Sequence, residues 1–270
     1  MSAVRARLVV FDIDGTLLDP DNPVSPGTVG ALRDLQDRGL QLAFASSRPI
    51  ESLALFARDL GVTAHLIGFN GAVATSTAGR QLVAETFVVD TLLTELLRRF
   101  ADSGGAVNVY QPAGWLAVGP AAATDHEEQA TGLTADRRST PDRLSELADE
   151  SAFKVMCRGS TAARAELLSA VADLAGLTAM TSGPDCCDIQ ARGVDKATAM
   201  QELCQDLGIT PEAVVAFGDS DSDAPMLALA GYGIAVGNAT ESAKAAAHEH
   251  IPGPGSAAVA EWLGRITASA

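Results

Sequence analysis

The chain has 270 residues and a formal net charge of −15, with a pI near 4.5. So acidic a balance argues against nucleic acid as a partner, because affinity for a phosphate backbone comes from clustered Lys and Arg. Hydrophobic content of 47% with 20% charged residues belongs to a folded chain long enough for two domains, and no run reaches the roughly 18 apolar residues of a membrane span.

Arg5 and Arg7 lead straight into the first strand, with no apolar segment of the signal-peptide kind, so a cytoplasmic location and no membrane partner are expected. That strand, Leu8-Val9-Val10-Phe11, is a short β-favouring apolar run that ends in Asp12-Ile13-Asp14-Gly15-Thr16. Four consecutive apolar residues suit a strand covered on both faces, and Asp-Gly stops it. Alternation along an extended chain would point Asp12 and Asp14 the same way, with Ile13 in the core. Two adjacent carboxylates resist joint ionisation unless a cation joins them, and Mg²⁺ with a bound phosphate suits such a pair. An acidic strand-end turn is the plainer reading of this stretch alone.

Asp19-Pro20-Asp21-Asn22-Pro23 reads as a loop, and Ser25-Pro26 as an N-cap with proline at the first helical position, opening a helix that runs to Gly39. Leu40 to Ala45 is the next strand, broken by Ser46-Ser47-Arg48-Pro49, and Leu53, Phe56 and Leu60 mark a second helix. Strand, helix, strand, helix begins a parallel sheet, whose ligands sit outside the carboxyl ends of the strands; Asp12, Asp14 and Ser46 then share one rim. His65 to Phe69 reads as a third strand, and Asn70-Gly71 as a turn into a hairpin of Ala72 to Thr75 and Gln81 to Val88.

The pattern then changes. Leu92, Leu93, Leu96, Leu97 and Phe100 form a helical stripe, followed by strands near Val107 to Tyr110 and Trp115 to Val118 and a polar, weakly patterned stretch from Ala121 to Asp149. Phe153 to Cys157, Leu177 to Thr181 and Cys187 to Gln190 read as strands, with a helical stripe at Leu167, Leu168, Val171 and Leu174 between the first two. Parallel-sheet alternation resumes with a helix from Lys196 to Leu207, a strand from Ala213 to Phe217, the acidic loop Gly218 to Asp223, and a strand from Gly233 to Val236. The expected fold class is α/β, a Rossmann-like parallel-sheet core over 1–84 and 189–270, with an inserted α+β cap over 85–188.

Cys157, Cys186, Cys187 and Cys204 lack metal spacing and read as reduced, mostly buried thiols, while His248-Glu249-His250 lacks the i, i+4 spacing of a helical metal pair and reads as solvated helix-end residues. Gly231, Gly233 and Gly237 do not form G-x-G-x-x-G and read as turn glycines. The chemistry gathers at strand ends: Asp12, Asp14, Ser46 and the acidic loop, with Lys196 at a nearby helix start. Carboxylates for a metal, a hydroxyl for a phosphate oxygen and a fixed cation are what phosphoryl transfer needs.

Taken in order, Phe11-Asp12-Ile13-Asp14-Gly15-Thr16-Leu17-Leu18, Ala45-Ser46-Ser47-Arg48-Pro49, Gly193-Val194-Asp195-Lys196 and Gly218-Asp219-Ser220-Asp221-Ser222-Asp223 resemble the four motifs of the haloacid dehalogenase-like phosphatases, and of their Cof-type branch, with about 100 residues of cap inserted between the second and third. Asn70-Gly71-Ala72 and Gly237-Asn238-Ala239 also fall where similar chains have them. The resemblance implies a Mg²⁺-dependent phosphatase for a small phosphorylated metabolite, with sugar phosphates as one candidate class, chosen by the cap. It implies Asp12 as nucleophile and metal ligand, Asp14 as acid and base with its backbone carbonyl on the metal, Asp219 as a further metal ligand, and Thr16 and Asp223 in support. Ser46, the backbone N–H groups of Ile13 and Ser47, Ser222 and Lys196 would hold the phosphate.

Departures from the family pattern bear on affinity and rate. Ser47 stands for the usual glycine of Thr-Gly-Arg, Ala197 for a glycine after the lysine, and Ser222 for an asparagine, which removes an amide donor; Gly255-Ser256-Ala257-Ala258 stands where Gly-Val is usual. A phosphomutase or phosphotransferase could use the same scaffold, and a catalytically weak binding protein would accommodate these substitutions. Retention of every charged residue of the four motifs counts against the binding protein, and time-resolved release of inorganic phosphate would separate hydrolysis from transfer.

Overall fold

The computed structural model describes residues 4–18, 24–252 and 256–268. The expected loop at 19–23 and the departure at Gly255 lie outside them. The chain divides into two compact units, one of Met1–Val83 with Asp195–Ala270 and the other of Ala84–Val194.

The first unit is built on an eight-stranded sheet. Its spatial order is Glu249–His250, Tyr232–Ala235, Val214–Gly218, Leu8–Phe11, Gln41–Ala45, His65–Gly68, Val73–Thr75 and Gln81–Ala84. The first six strands run parallel and the seventh pairs antiparallel to the sixth. Alternation along the central strands sends Val9, Phe11, Leu42 and Phe44 to one face, against Leu32, Leu35, Leu53, Leu60 and Trp262 of helices Pro26–Asp37, Ile50–Leu60 and Ser256–Leu263. Leu8, Val10, Ala43 and Ala45 go to the other face, against Met200, Leu203, Met226 and Ala243 of helices Lys196–Leu207, Ala224–Leu229 and Glu241–Ala246. Helices on both faces are why these strands read as unbroken apolar runs.

Register places the site. Phe11 lies opposite Phe44 on one side and Phe217 on the other, so three neighbouring strands end level. Phe11 stacks on Phe217 with ring centroids 5.0 Å apart, and Trp262 meets Phe217 edge-on at 5.4 Å. Asp12, Ser46 and Asp219 follow directly on these strands. The chain leaves Leu8–Phe11 towards one side of the sheet and returns on the other, so this rim is the topological switch point where open α/β sheets bind ligands.

The second unit holds a six-stranded sheet in the order Arg137–Ser139, Gly114–Val118, Ala106–Gln111, Lys154–Arg158, Cys186–Ala191 and Leu177–Thr181, antiparallel except for its first pair. Helices Thr91–Asp102 and Thr161–Ala172 bury Leu93, Leu97, Phe100, Leu167 and Val171 against Val107, Val109, Val155, Cys157 and Ile189. The alternate strand positions carry polar and aromatic groups. Lys154 Nζ meets Asp188 Oδ2 at 3.2 Å, Tyr110 donates to Glu127 at 2.8 Å, and Trp115 donates to Asn108 at 3.0 Å.

Several expectations need correction. A boundary between 188 and 189 would cut the strand Cys186–Ala191, which pairs on both sides within the second unit; that unit runs on to Val194. The strand expected to reach Val88 stops at Ala84, and Phe87–Val89 pairs instead with Glu150–Ala152. The polar stretch 121–149 holds a helix, Ala121–Thr131, a short strand, Arg137–Ser139, and a 3₁₀ segment, Pro141–Leu147. The helix escaped notice because its buried positions are Thr124, Glu127 and Thr131 rather than an apolar stripe. Glu249–His250 is an edge strand, not a helix end, and His248 Nδ1 accepts from the Gly233 N–H at 3.0 Å. All four cysteines are buried and free of disulfides.

Asn70-Gly71 is more than a turn. Asn70 and Gly71 adopt φ of 54° and 105°, and a Cβ on Gly71 would run into the backbone carbonyl of Asp195, next to Lys196. Gly71→Ala combines a disfavoured φ with that clash, and should cost about 1–3 kcal/mol, read as a lowered urea midpoint at unchanged slope. An unaltered midpoint would show that the close approach is not needed.

Candidate active site

Three carboxylates meet at the rim. Oxygens of Asp12, Asp219 and Asp223 lie within 4.8 Å of one another. Lys196 enters from the opposite wall, on the first turn of helix Lys196–Leu207. Asp195 caps that helix, accepting from the Thr198 N–H at 2.7 Å while Thr198 Oγ1 accepts from the Asp195 N–H at 3.2 Å, a reciprocal box that sets where the lysine departs. The Lys196 ammonium donates to Asp12 Oδ1 and to Asp223 Oδ1, each at 2.6 Å, with its side chain 2% exposed. Solvated placement of this lysine, the ordinary outcome for one at a helix start, is ruled out by that burial.

Asp223 is fully committed. Its second oxygen accepts from the backbone N–H groups of Asp219 and Ser220, at 3.1 and 2.9 Å, and from the Ser220 hydroxyl at 2.8 Å. It holds both the acidic loop and the lysine. Asp219 accepts from Thr16 Oγ1 at 3.0 Å and from Asn238 Nδ2 at 3.0 Å. Gly15, at φ 90°, must lack a side chain because a Cβ there would collide with the Asp219 carboxylate. Asp12 Oδ2 is different: it is buried with no hydrogen-bond partner among the described residues.

The electrostatics follow from too many anions around one ammonium. Burial pushes the Asp12 carboxyl well above the usual carboxylate range, Asp223 adds to the push, and Lys196 opposes it. Burial and the charge of Asp223 push Asp219 up to about 6. Burial alone would pull the Lys196 ammonium down, but Asp12 and Asp223 hold it above the ordinary lysine value. A second cation would relieve this imbalance. Mg²⁺ takes hard oxygen ligands and few protein carboxylates, so the orphaned Asp12 Oδ2 and the adjacent Asp219 fit it.

Asp14 does not join the cluster. The strand ends at Phe11, and the backbone then turns tightly, with the N–H groups of Leu17 and Leu18 both donating to the Ile13 carbonyl, so strand alternation does not carry across to Asp14. Its carboxylate instead receives Arg48 Nε at 2.7 Å and Nη2 at 2.6 Å. Ser46 is buried on the neighbouring strand end and accepts from the Arg48 N–H at 3.2 Å, which leaves its own hydroxyl proton to donate. Ser47 is half-buried beside it, Ile13 is core, and Ser222 shares a 2.8 Å hydrogen bond with Ser220 in the acidic loop. Ala197 packs into the core below the site. Reading by residue type missed the support that Asn238 and Ser220 give; the Gly237-Asn238-Ala239 pattern was the available signal for the first.

Residues 9–263 match the family model described as haloacid dehalogenase-like hydrolase, and the chain belongs to that family. Among curated relatives, an HMP-PP phosphatase of Cronobacter sakazakii is 32% identical over 240 residues, covering 87% of this chain and 85% of its own, and one of an Enterobacter species is 30% identical over 238 residues, with coverages of 87% and 85%. A solved haloacid dehalogenase-like hydrolase from Bacteroides thetaiotaomicron superposes with a TM-score of 0.83 at 25% identity, covering 97% of this chain and 99% of that one. A subclass IIB sugar phosphatase of the superfamily shares the fold at 19% identity, with a TM-score of 0.79 and coverages of 96% and 98%. Among the described residues no helix is long and apolar enough to cross a membrane.

Two outcomes test the site. Lys196→Met leaves Asp12 and Asp223 buried without their cation and should cost about 3–5 kcal/mol in metal-free denaturant unfolding; an unchanged stability would mean that solvent reaches the pair. The second concerns pH. Asp219 titrates higher folded than unfolded, so between about pH 4 and pH 6 the folded chain binds the extra proton, and metal-free stability falls as pH rises through that window. Mg²⁺ should therefore raise the melting temperature more above pH about 7 than below pH about 5, and less in Asp219→Asn. Equal shifts at both pH values would remove Asp219 from the ligand set.

Proposed function

We propose that this hydrolase is a Mg²⁺-dependent phosphatase of small phosphorylated metabolites that works through an aspartyl phosphate on Asp12, with the second unit as the cap that selects the substrate. The observation that carries this reading is Asp12 itself: one oxygen pinned by Lys196, the other buried at the switch point of a parallel sheet with no partner among the described residues. The names of the curated relatives, HMP-PP phosphatases, support the reaction class.

Asp12, Asp219 and the backbone of Asp14 would hold Mg²⁺, with Asp223 beside them. When bound, Mg²⁺ neutralises charge on the phosphoryl oxygens and keeps carboxylates ionised. Asp12 attacks phosphorus, forming an acyl-phosphate bond as the ester P–O bond breaks, and Asp14 gives its proton to the departing oxygen. Asp14, now a carboxylate, takes a proton from water as that water attacks phosphorus; the acyl-phosphate bond breaks, phosphate leaves and Asp12 is restored. The Ser46 hydroxyl and the Lys196 ammonium face the charge on the transferring group. The two aspartates take different roles because their surroundings differ. Asp12 is sealed against a lysine, whereas the Asp14 side chain is 52% exposed and paired with Arg48.

A hydrolysis screen of phosphorylated metabolites, with Mg²⁺ and with the metal chelated, tests the reading. Asp12→Asn should abolish turnover and leave no phosphoenzyme, while Asp14→Asn should keep the nucleophile and lose about 10²–10⁴-fold in kcat. A crystal grown with a fluoride-based phosphate mimic should place the mimic's central atom in line with an Asp12 carboxylate oxygen. Wild-type turnover by Asp12→Asn would overturn the mechanism.

A further inference from the structure

We propose that Arg48 is an exchangeable anion clamp, one that releases Asp14 to grip a second anionic group on the leaving side of the substrate, so that the enzyme favours phosphate esters carrying such a group. The inference rests on the phosphatase reading above and deepens it.

The geometry begins with the fork. Arg48 meets Asp14 through Nε and Nη2 at 2.7 and 2.6 Å, a two-point arrangement that a phosphate or another carboxylate matches as well. The backbone of Arg48 is anchored where the phosphate site is built. Its N–H donates to Ser46 Oγ at 3.2 Å and its carbonyl accepts from the Phe69 N–H at 2.9 Å. Gly68 permits that approach, since a Cβ there would press on the Arg48 carbonyl. One short segment thus aims both the Ser46 hydroxyl and the guanidinium.

Burial says which partner is replaceable. The Arg48 side chain is 17% exposed and that of Asp14 52%, so the cation is fixed in the wall and the anion sits on the solvent side. A pair that open to water contributes little net stability, and an incoming anion can take its place at small cost. Charge adds a reason. Asp12, Asp219 and Asp223 cluster at the rim, Asp14 follows Asp12 by two residues, and Lys196 is already divided between Asp12 and Asp223. An anionic leaving group would be repelled unless a cation met it, and Arg48 is a cation whose ion-pair partner Asp14 lies at the surface. The exchange makes and breaks no covalent bond. It frees the Asp14 carboxylate, which takes up a proton from solvent and passes it to the leaving oxygen, so that binding of the second anion and proton delivery are coupled.

The test is steady-state kinetics with Mg²⁺ on three probes: p-nitrophenyl phosphate, with no second anion; 3-phosphoglycerate, with a carboxylate; and methyl diphosphate, with a second phosphate. Arg48→Gln should lower kcat/KM for at least one two-anion probe about ten-fold or more beyond its effect on p-nitrophenyl phosphate, chiefly through KM. Arg48→Lys, which keeps the charge and loses the fork, should recover only part of that difference. Because the comparison is between probes on one variant, lost folding cancels. Selective loss on the diphosphate assigns the clamp to phosphate, and selective loss on phosphoglycerate assigns it to carboxylate. Equal fractional loss on all three overturns the clamp and leaves Arg48 as a holder of Asp14, with the phosphatase reading intact. Failure of the wild-type enzyme to hydrolyse any of the three would overturn that reading and the clamp together.

Discussion

A single buried ammonium organises this molecule. Lys196 sits between Asp12 and Asp223 with almost no access to water, and an ion triad of that kind survives only where geometry and hydrogen bonds offset the loss of hydration. Much of the surrounding structure supplies that offset. The Asp195 and Thr198 box sets the helix start, Gly71 lets the neighbouring turn close against it, and Asp223 is tied by three donors from its own loop. Phe11 and Phe217 stack across the two strands that end in Asp12 and Asp219, and Trp262 of the helix Ser256–Leu263 meets Phe217 edge-on.

The triad leaves the site unbalanced in a useful way. One ammonium cannot satisfy three carboxylates, so Asp12 retains an oxygen without a partner among the described residues, and both Asp12 and Asp219 resist ionisation. Carboxylates crowded in this way are a set that could hold a divalent cation. Asp14, two residues from Asp12, escapes the imbalance because the chain has already left the sheet and Arg48 takes it up at the surface. Two aspartates of one motif thereby acquire separate environments.

The second unit solves a different problem. Its helices cover one face of its sheet with an ordinary apolar core. The alternate positions carry Lys154, Asp188, Asn108, Tyr110 and Trp115, joined through ion pairing and hydrogen bonding. Buried polar networks of this sort tolerate substitution poorly.

What the sequence determined by itself was the alternation of strand and helix in the first unit, the interruption by a second, and the four motifs on the strand ends. These are local signals: apolar runs, caps and turn residues depend on neighbours in the chain. The central strands were legible because burial on both faces forbids polar residues in them. The helix Ala121–Thr131 was not, since its inner face is Thr and Glu, which become inner only when Tyr110 supplies a partner. Only the tertiary structure decided that Lys196 is buried, that Asp223 orients it, that Asp14 pairs with Arg48, and that the strand Cys186–Ala191 belongs to the second unit. Each of those outcomes depends on groups far apart in sequence meeting at a few ångströms, where desolvation and charge, not residue type, settle the role.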